Sequence, residues 1–188
     1  MEEIICRYIS CLTKTLKSEV MEEVIPLGYA LLEAWKTRNT IYLCGNGGSA
    51  GNAIHLANDL IYGAGKCNGR GLKVEALSAN SAVITCLGND IGYENIYSEQ
   101  IKVKGIAGDI LIALSGSGNS PNVVNAIIQA NNIGMKTFAI LGFSGGRCKE
   151  LAKYPIHIAV DDMQIAEDLQ LILGHMCMQW LSTQSVDK

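Results

Sequence analysis

Three histidines occur in 188 residues, and two of them stand at spacings that could do chemistry. His55 and Asp59 are four apart, which puts both on one face of a helix. Glu167, Leu171 and His175 form a stripe spaced by fours, so Glu167 and His175 lie on one side of a second helix. One carboxylate and one imidazole from each of two helices make an N/O donor set that suits zinc. The same groups suit acid–base work near neutral pH, where imidazole both gives and takes a proton. A histidine in an apolar helix is also a common packing residue, so the spacing alone leaves that reading open. His157 falls in a strand and reads as structural.

Two glycine-rich loops narrow the choice. Gly45-Asn-Gly-Gly-Ser-Ala50 has the outline of a dinucleotide fingerprint. The acidic residue that would hold a ribose is missing from the end of the next strand; Glu75 lies too far on and inside the strand. The loop therefore reads as a polar ligand site, with Asn46, Gly47, Ser49 and Asn52 adding to backbone amides at a helix start. The second loop, Ser115-Gly-Ser-Gly-Asn-Ser120, offers three hydroxyls and glycine-exposed amides at another helix start. That is a phosphate cradle without lysine. No Gly-Lys-Ser/Thr follows, so it is not a Walker loop. Ser115, Gly116, Ser117, Asn119 and Ser120 are the candidates for holding a phosphate monoester, and no nucleotide cofactor is expected. A capped turn without a ligand is the plainer alternative.

These loops need a scaffold that presents them together. Residues 2–37 show helical apolar spacing with a break near Lys17 and Ser18, and Pro26 predicts a kink or a restart. Strands are expected at 41–44, 73–77, 109–114, 136–141 and 155–160, each a continuous apolar run. Helices are expected at about 49–62, after Ser78-Ala-Asn-Ser81, at about 93–102 beyond a turn at 88–92, at 121–132, at 145–153 and at 163–182. Unbroken apolar strands alternating with helices predict a doubly wound, Rossmann-like α/β domain with a parallel sheet of about five strands. Both loops then fall at strand carboxyl ends, where such sheets bind ligands. We expect one domain over 1–188: packing helices over 1–37, then an α/β core over 38–188.

Composition excludes several classes. Net charge is −3, with 15 basic and 18 acidic residues and no basic run, which argues against nucleic-acid binding. The longest apolar stretch, 169–181, contains Gln170 and His175 and is shorter than the about 20 residues a bilayer needs. The first residues, MEEIICRYIS, are acidic and lack a signal-peptide pattern. Seven scattered cysteines with no CxxC read as reduced thiols, so a cytoplasmic location is expected. Charged residues make up only 18% against an average of about 25%. Low charge, apolar N-terminal helices and an apolar last helix predict a homo-oligomer, a tetramer.

Cys44-Gly-Asn-Gly-Gly-Ser49, Gly88-Asn-Asp90 and Leu114-Ser-Gly-Ser-Gly-Asn-Ser120 resemble the SIS (sugar isomerase) domain, and more narrowly its phosphoheptose isomerase branch. The resemblance covers essentially the whole chain. It implies an aldose–ketose isomerase that interconverts sedoheptulose 7-phosphate and D-glycero-D-manno-heptose 7-phosphate, feeding surface-polysaccharide synthesis. It implies that Ser115, Ser117 and Ser120 hold the phosphate, that Asn46 and Ser49 face the sugar phosphate and that Asp90 lines the sugar site. His55-Leu-Ala-Asn-Asp59 stands where the family has His-x-x-x-Glu, a metal ligand and a catalytic carboxylate. Glu167 and His175 stand where it has Gln-x7-His, a metal ligand and a catalytic histidine. By that match Asp59 takes the carbon proton, His175 serves the oxygens, and His55, Asp59, Glu167 and His175 hold Zn²⁺. Four departures bear on the substrate: Asp59 for glutamate, Glu167 for glutamine, Gly63 where an arginine is expected and Gln164 where an aspartate is common. The alternative is a non-catalytic SIS module that senses a sugar phosphate or binds a protein, as relatives that bind a replication initiator do.

Overall fold

The computed structural model describes residues 1–66 and 69–186. Cys67, one of the seven cysteines, lies outside them. Five parallel strands form one sheet: β1 Thr40–Cys44, β2 Lys73–Ala76, β3 Ile110–Ser115, β4 Lys136–Leu141 and β5 Tyr154–His157. Their order is β2-β1-β3-β4-β5. β1, β3 and β4 are buried nearly throughout because both sheet faces are covered, which is why they read as unbroken apolar runs, whereas the edge strands β2 and β5 are partly exposed. The order reverses between β1 and β3, the crevice where doubly wound sheets take ligands. The two glycine-rich loops leave these two neighbouring strands.

Helices α1 Glu2–Leu16, α2 Val24–Thr37, α3 Gly48–Asn58 and α8 Met163–Ser182 gather on one face. There Leu27, Leu31, Trp35, Leu56, Leu169 and Leu173 pack on Ile41, Leu43, Ile110 and Ile112. Helices α4 Ser81–Asp90, α5 Ser98–Lys104, α6 Pro121–Ile133 and α7 Gly146–Leu151 serve the other face. There Tyr97, Ile101, Val123, Val124 and Ile127 pack on Tyr42, Leu111 and Ala113. No described helix is long and apolar enough to cross a membrane.

Several boundaries differ from the sequence expectation. A 3₁₀ turn, Glu19–Glu23, bridges the expected break, and Pro26 sits in the first turn of α2, where its missing N–H costs nothing. Gly88-Asn-Asp90 is not a turn: it is the last turn of α4, and the reversal falls at Gly92, with φ +92°. The helix expected at 93–102 is a 3₁₀ turn, Tyr93–Asn95, followed by α5. β5 stops at His157; beyond it Ile158 N–H binds the Leu141 carbonyl and Phe143 N–H binds the Val160 carbonyl, outside the regular ladder. The helix expected at 49–62 changes at Asp59 from α to π winding over Asp59–Gly63, with Ala64 N–H on the Asp59 carbonyl at 3.0 Å. Such wide turns recur at functional sites because they re-aim the side chains they carry.

Candidate active site

A cavity of about 290 Å³ opens at the β1/β3 crevice. Its walls are Asn46, Gly47, Gly48 and Ser49 from the first loop, Leu114, Ser115, Gly116, Ser117 and Ser120 from the second, and Met163 and Glu167 from α8. The starts of α3 and α6 both meet it, so two sets of unpaired helix N–H groups face one space. Gly47 precedes α3 with φ +55° and ψ −121°, a conformation that side chains oppose.

The second loop is held by its own hydroxyls. Ser115 Oγ accepts from Gly118 N–H at 3.0 Å, and Ser117 Oγ accepts from Asn119 N–H at 3.3 Å. Each hydroxyl thus accepts inside the loop and keeps its proton to donate outward. Ser120 makes no capping bond to α6, so its hydroxyl is also available. Asn119 does not line the cavity. Its Oδ1 accepts from Arg147 N–H at 3.1 Å and ties the loop to α7.

The first loop is locked by residues the sequence did not signal. Asn46 and Asn122 exchange amide hydrogen bonds of 2.8 and 2.9 Å, and the Tyr93 hydroxyl donates to Asn46 Oδ1 at 3.2 Å. The Tyr97 hydroxyl donates to the Gly45 carbonyl and, at 3.3 Å, to Asn46 Oδ1. Burial pushes the Tyr97 phenol well above its ordinary value, so it stays a donor at working pH. Donors from Asn122 and Tyr93 on one amide oxygen fix which way the Asn46 side chain points. No short-range pattern marks Asn122 or Tyr97; the fold alone brings them to Asn46.

His55, Asp59 and His175 converge. Their ligand atoms lie within 4.8 Å of one another. His55 Nε2 to His175 Nε2 is 2.9 Å, and Asp59 Oδ2 stands 3.4 and 3.2 Å from the two. Three donors around a tetrahedral zinc with bonds of about 2.0–2.1 Å would sit roughly 3.3–3.4 Å apart. The donor types and the two carboxylate edges fit such an ion, and the two imidazoles would part by about 0.4 Å to admit it. His55 and His175 are partly exposed and Asp59 mostly covered.

Glu167 is not in this cluster. Two helical turns, about 12 Å of rise, separate it from His175. A Cβ added to Gly48 would meet its carboxylate at 2.3–2.5 Å, so it sits over the start of α3 in the cavity wall. Asn52 also departs from expectation: its Nδ2 donates to the Glu167 carbonyl and to Gln170 Oε1, at 2.9 and 3.0 Å, and so ties α3 to α8 outside the cavity wall. Asp90 is exposed and outside the cavity wall. It accepts from Asn89 Nδ2 at 2.8 Å and from the Cys86 thiol at 3.6 Å, and that bond pushes the thiol up.

Comparison with known proteins agrees with this geometry. The SIS domain family model matches residues 6–142. A phosphoheptose isomerase of Akkermansia muciniphila is 39% identical over 141 residues, covering 75% of this chain and 74% of that protein. One from Helicobacter pylori is 32% identical over 177 residues, covering 94% and 91%. The solved phosphoheptose isomerase of Neisseria gonorrhoeae superposes with a TM-score of 0.89 at 26% identity, with 97% of each chain covered. With a cavity lined by loop hydroxyls at the sheet crevice and a carboxylate between two imidazoles, the chain belongs to the SIS domain family and, within it, to the phosphoheptose isomerases.

Proposed function

We propose that this protein interconverts sedoheptulose 7-phosphate and D-glycero-D-manno-heptose 7-phosphate. The observation that carries the reading is Asp59 Oδ2 at 3.2 Å from His175 Nε2, an acid–base pair set apart from the anion cavity along the same two helices. Gly48 at the cavity and His55 in the cluster are seven residues apart on α3, about 10 Å of helical rise. A seven-carbon chain bound by a terminal phosphate needs separation of that order between its phosphate and its first two carbons.

Aldose–ketose exchange moves one proton between adjacent carbons and another between their oxygens, with no redox cofactor. Ser115, Ser117 and Ser120 bind the phosphate with the amides at the start of α6. Asn46 and Ser49 hold the sugar phosphate beside them. Asp59 takes the proton from the carbon next to the carbonyl and returns it to the neighbouring carbon. His175 protonates and deprotonates the two oxygens. Alternatively, His55, Asp59 and His175 would hold Zn²⁺, which would polarise the substrate carbonyl and raise the acidity of that carbon; while bound to it, the same His175 nitrogen would not carry the oxygen proton. A homotetramer in the cytoplasm completes the reading, supported by the exposed apolar side chains of α1 and α2.

Turnover of sedoheptulose 7-phosphate, set beside five- and six-carbon sugar phosphates with and without chelator, tests it. Fastest turnover of the seven-carbon substrate is expected. No turnover of any sugar phosphate would overturn the assignment, and preference for a shorter sugar would replace the substrate.

A further inference from the structure

We propose that His157 is a positioning residue for the phosphate loop, acting through the turn at residues 142–146; this rests on reading Ser115–Ser120 as the phosphate cradle. Phe143 in that turn has φ +45°, a left-handed backbone that a bulky side chain rarely adopts. Its carbonyl accepts from His157 Nε2 at 2.8 Å, while His157 Nδ1 faces Lys149 Nζ at 3.0 Å. The partners fix the tautomer. A lysine ammonium only donates, so Nδ1 carries a lone pair; a carbonyl only accepts, so Nε2 carries the hydrogen. The ring is therefore a strut between Lys149 on α7 and the turn, and its backbone N–H is anchored on Glu23 Oε2 at 3.0 Å.

The turn and the start of α7 bear directly on the phosphate loop. Gly142 N–H points at the Ser115 carbonyl at 3.4 Å, Cys148 N–H binds the Gly118 carbonyl at 2.9 Å and Arg147 N–H binds Asn119 Oδ1 at 3.1 Å. A Cβ on Gly118 would stand 1.9 Å from the Gly145 carbonyl oxygen, and one on Gly116 would stand 3.9 Å from the Phe143 ring. The loop thus takes its shape from the turn beneath it. Without the strut, the Phe143 carbonyl loses its donor and only the Phe143 N–H bond to the Val160 carbonyl holds that residue, so the turn and the Gly145 carbonyl shift relative to the loop.

The test uses the full chain with His157→Leu, His157→Gln, Lys149→Met and Ser117→Ala. Kinetics with sedoheptulose 7-phosphate are paired with calorimetric titration of inorganic phosphate. Glutamine keeps a donor for the Phe143 carbonyl and an acceptor for Lys149. His157→Leu should raise KM and the phosphate Kd together by about fivefold or more, with kcat changed less than about twofold. His157→Gln should restore both to near wild type, and Lys149→Met should shift them in the same direction by less. Unchanged phosphate affinity in His157→Leu, or in Lys149→Met if the leucine variant does not fold, overturns the proposal while Ser117→Ala still weakens binding. Failure of glutamine to rescue overturns it too, since packing alone would then explain the loss. If Ser117→Ala leaves phosphate binding intact, the cradle reading itself falls.

Discussion

The Nε2 atoms of His55 and His175 lie 2.9 Å apart although 120 residues separate them in the chain. Their rings cross at 71°, with centroids 5.1 Å apart. At that distance the N–H of one imidazole donates to the lone pair of the other, and a cation held by both would take the place of that hydrogen. Asp59 Oδ2 completes the triangle and supplies the negative charge that makes a divalent cation favourable there.

Zinc binding is therefore expected to stabilise the protein. At a free zinc concentration about 100 times its Kd, stabilisation of about 2.7 kcal/mol should raise Tm by roughly 5–10 °C in a chain of this size. Thermal unfolding of chelator-treated protein, before and after zinc is restored, measures this. His55→Ala and His175→Ala should remove the shift and lower the zinc content found by elemental analysis. No shift in the wild type would leave the three residues as an acid–base cluster alone.

Asp59→Asn should cut turnover by about 10²–10⁴-fold while inorganic phosphate still binds. The cleaner readout is exchange of the substrate C–H proton with solvent deuterium, which should vanish. Asp59→Glu lengthens the carboxylate by one methylene, an offset near 1 Å, and should keep exchange within about 100-fold of wild type. Wild-type exchange in Asp59→Asn would remove Asp59 from the role of base.

Gly118 has φ +67°, and any Cβ there would stand 1.9 Å from the Gly145 carbonyl oxygen. Gly118→Ala should destabilise the fold by about 2–4 kcal/mol, because backbone strain and a clash against main chain act together. Urea unfolding reads this directly. A loss under about 0.5 kcal/mol would mean that the phosphate loop and the turn at 142–146 separate easily.

An apolar groove of about 340 Å³ runs between α2 and α8, lined by Val24, Ile25, Tyr29, Met176 and Trp180. Ile25 and Tyr29 are more than half exposed. Light scattering at micromolar concentration is expected to give the mass of a tetramer, and Tyr29→Glu with Ile25→Asp should shift it to smaller species. A wild-type monomer would contradict this.

The α/β alternation, all five strands and both glycine-rich loops were legible in the sequence: the central strands β1, β3 and β4, buried on both faces, must be unbroken apolar runs, and the edge strands β2 and β5 follow from their alternation with helices. Local chemistry also gave away the Asn80 cap, which accepts from Val83 N–H at 3.2 Å, and the Gly134 stop after α6, with φ +90°. Gly88 misled because glycine usually marks a turn. Inside α4 it costs about 1 kcal/mol, and the Ile96 methyl packs 4.0 Å from where its Cβ would be.

The sequence by itself determined the periodicities: which residues share a helix face, where strands end, and which loops carry hydroxyls. It fixed His55 with Asp59 and aligned Glu167 with His175, because angular position follows from counting by fours. Which groups meet was decided only by the tertiary structure. Counting gives the side of a helix but not which neighbour stands at each level, and α8 lies beside α3 so that His175 reaches His55 while Glu167 reaches Gly48. The Asn46–Asn122 amide pair and the His157 strut likewise join residues far apart in the chain. No local rule anticipates such contacts, because they exist only where packing of the two sheet faces brings separate elements into register.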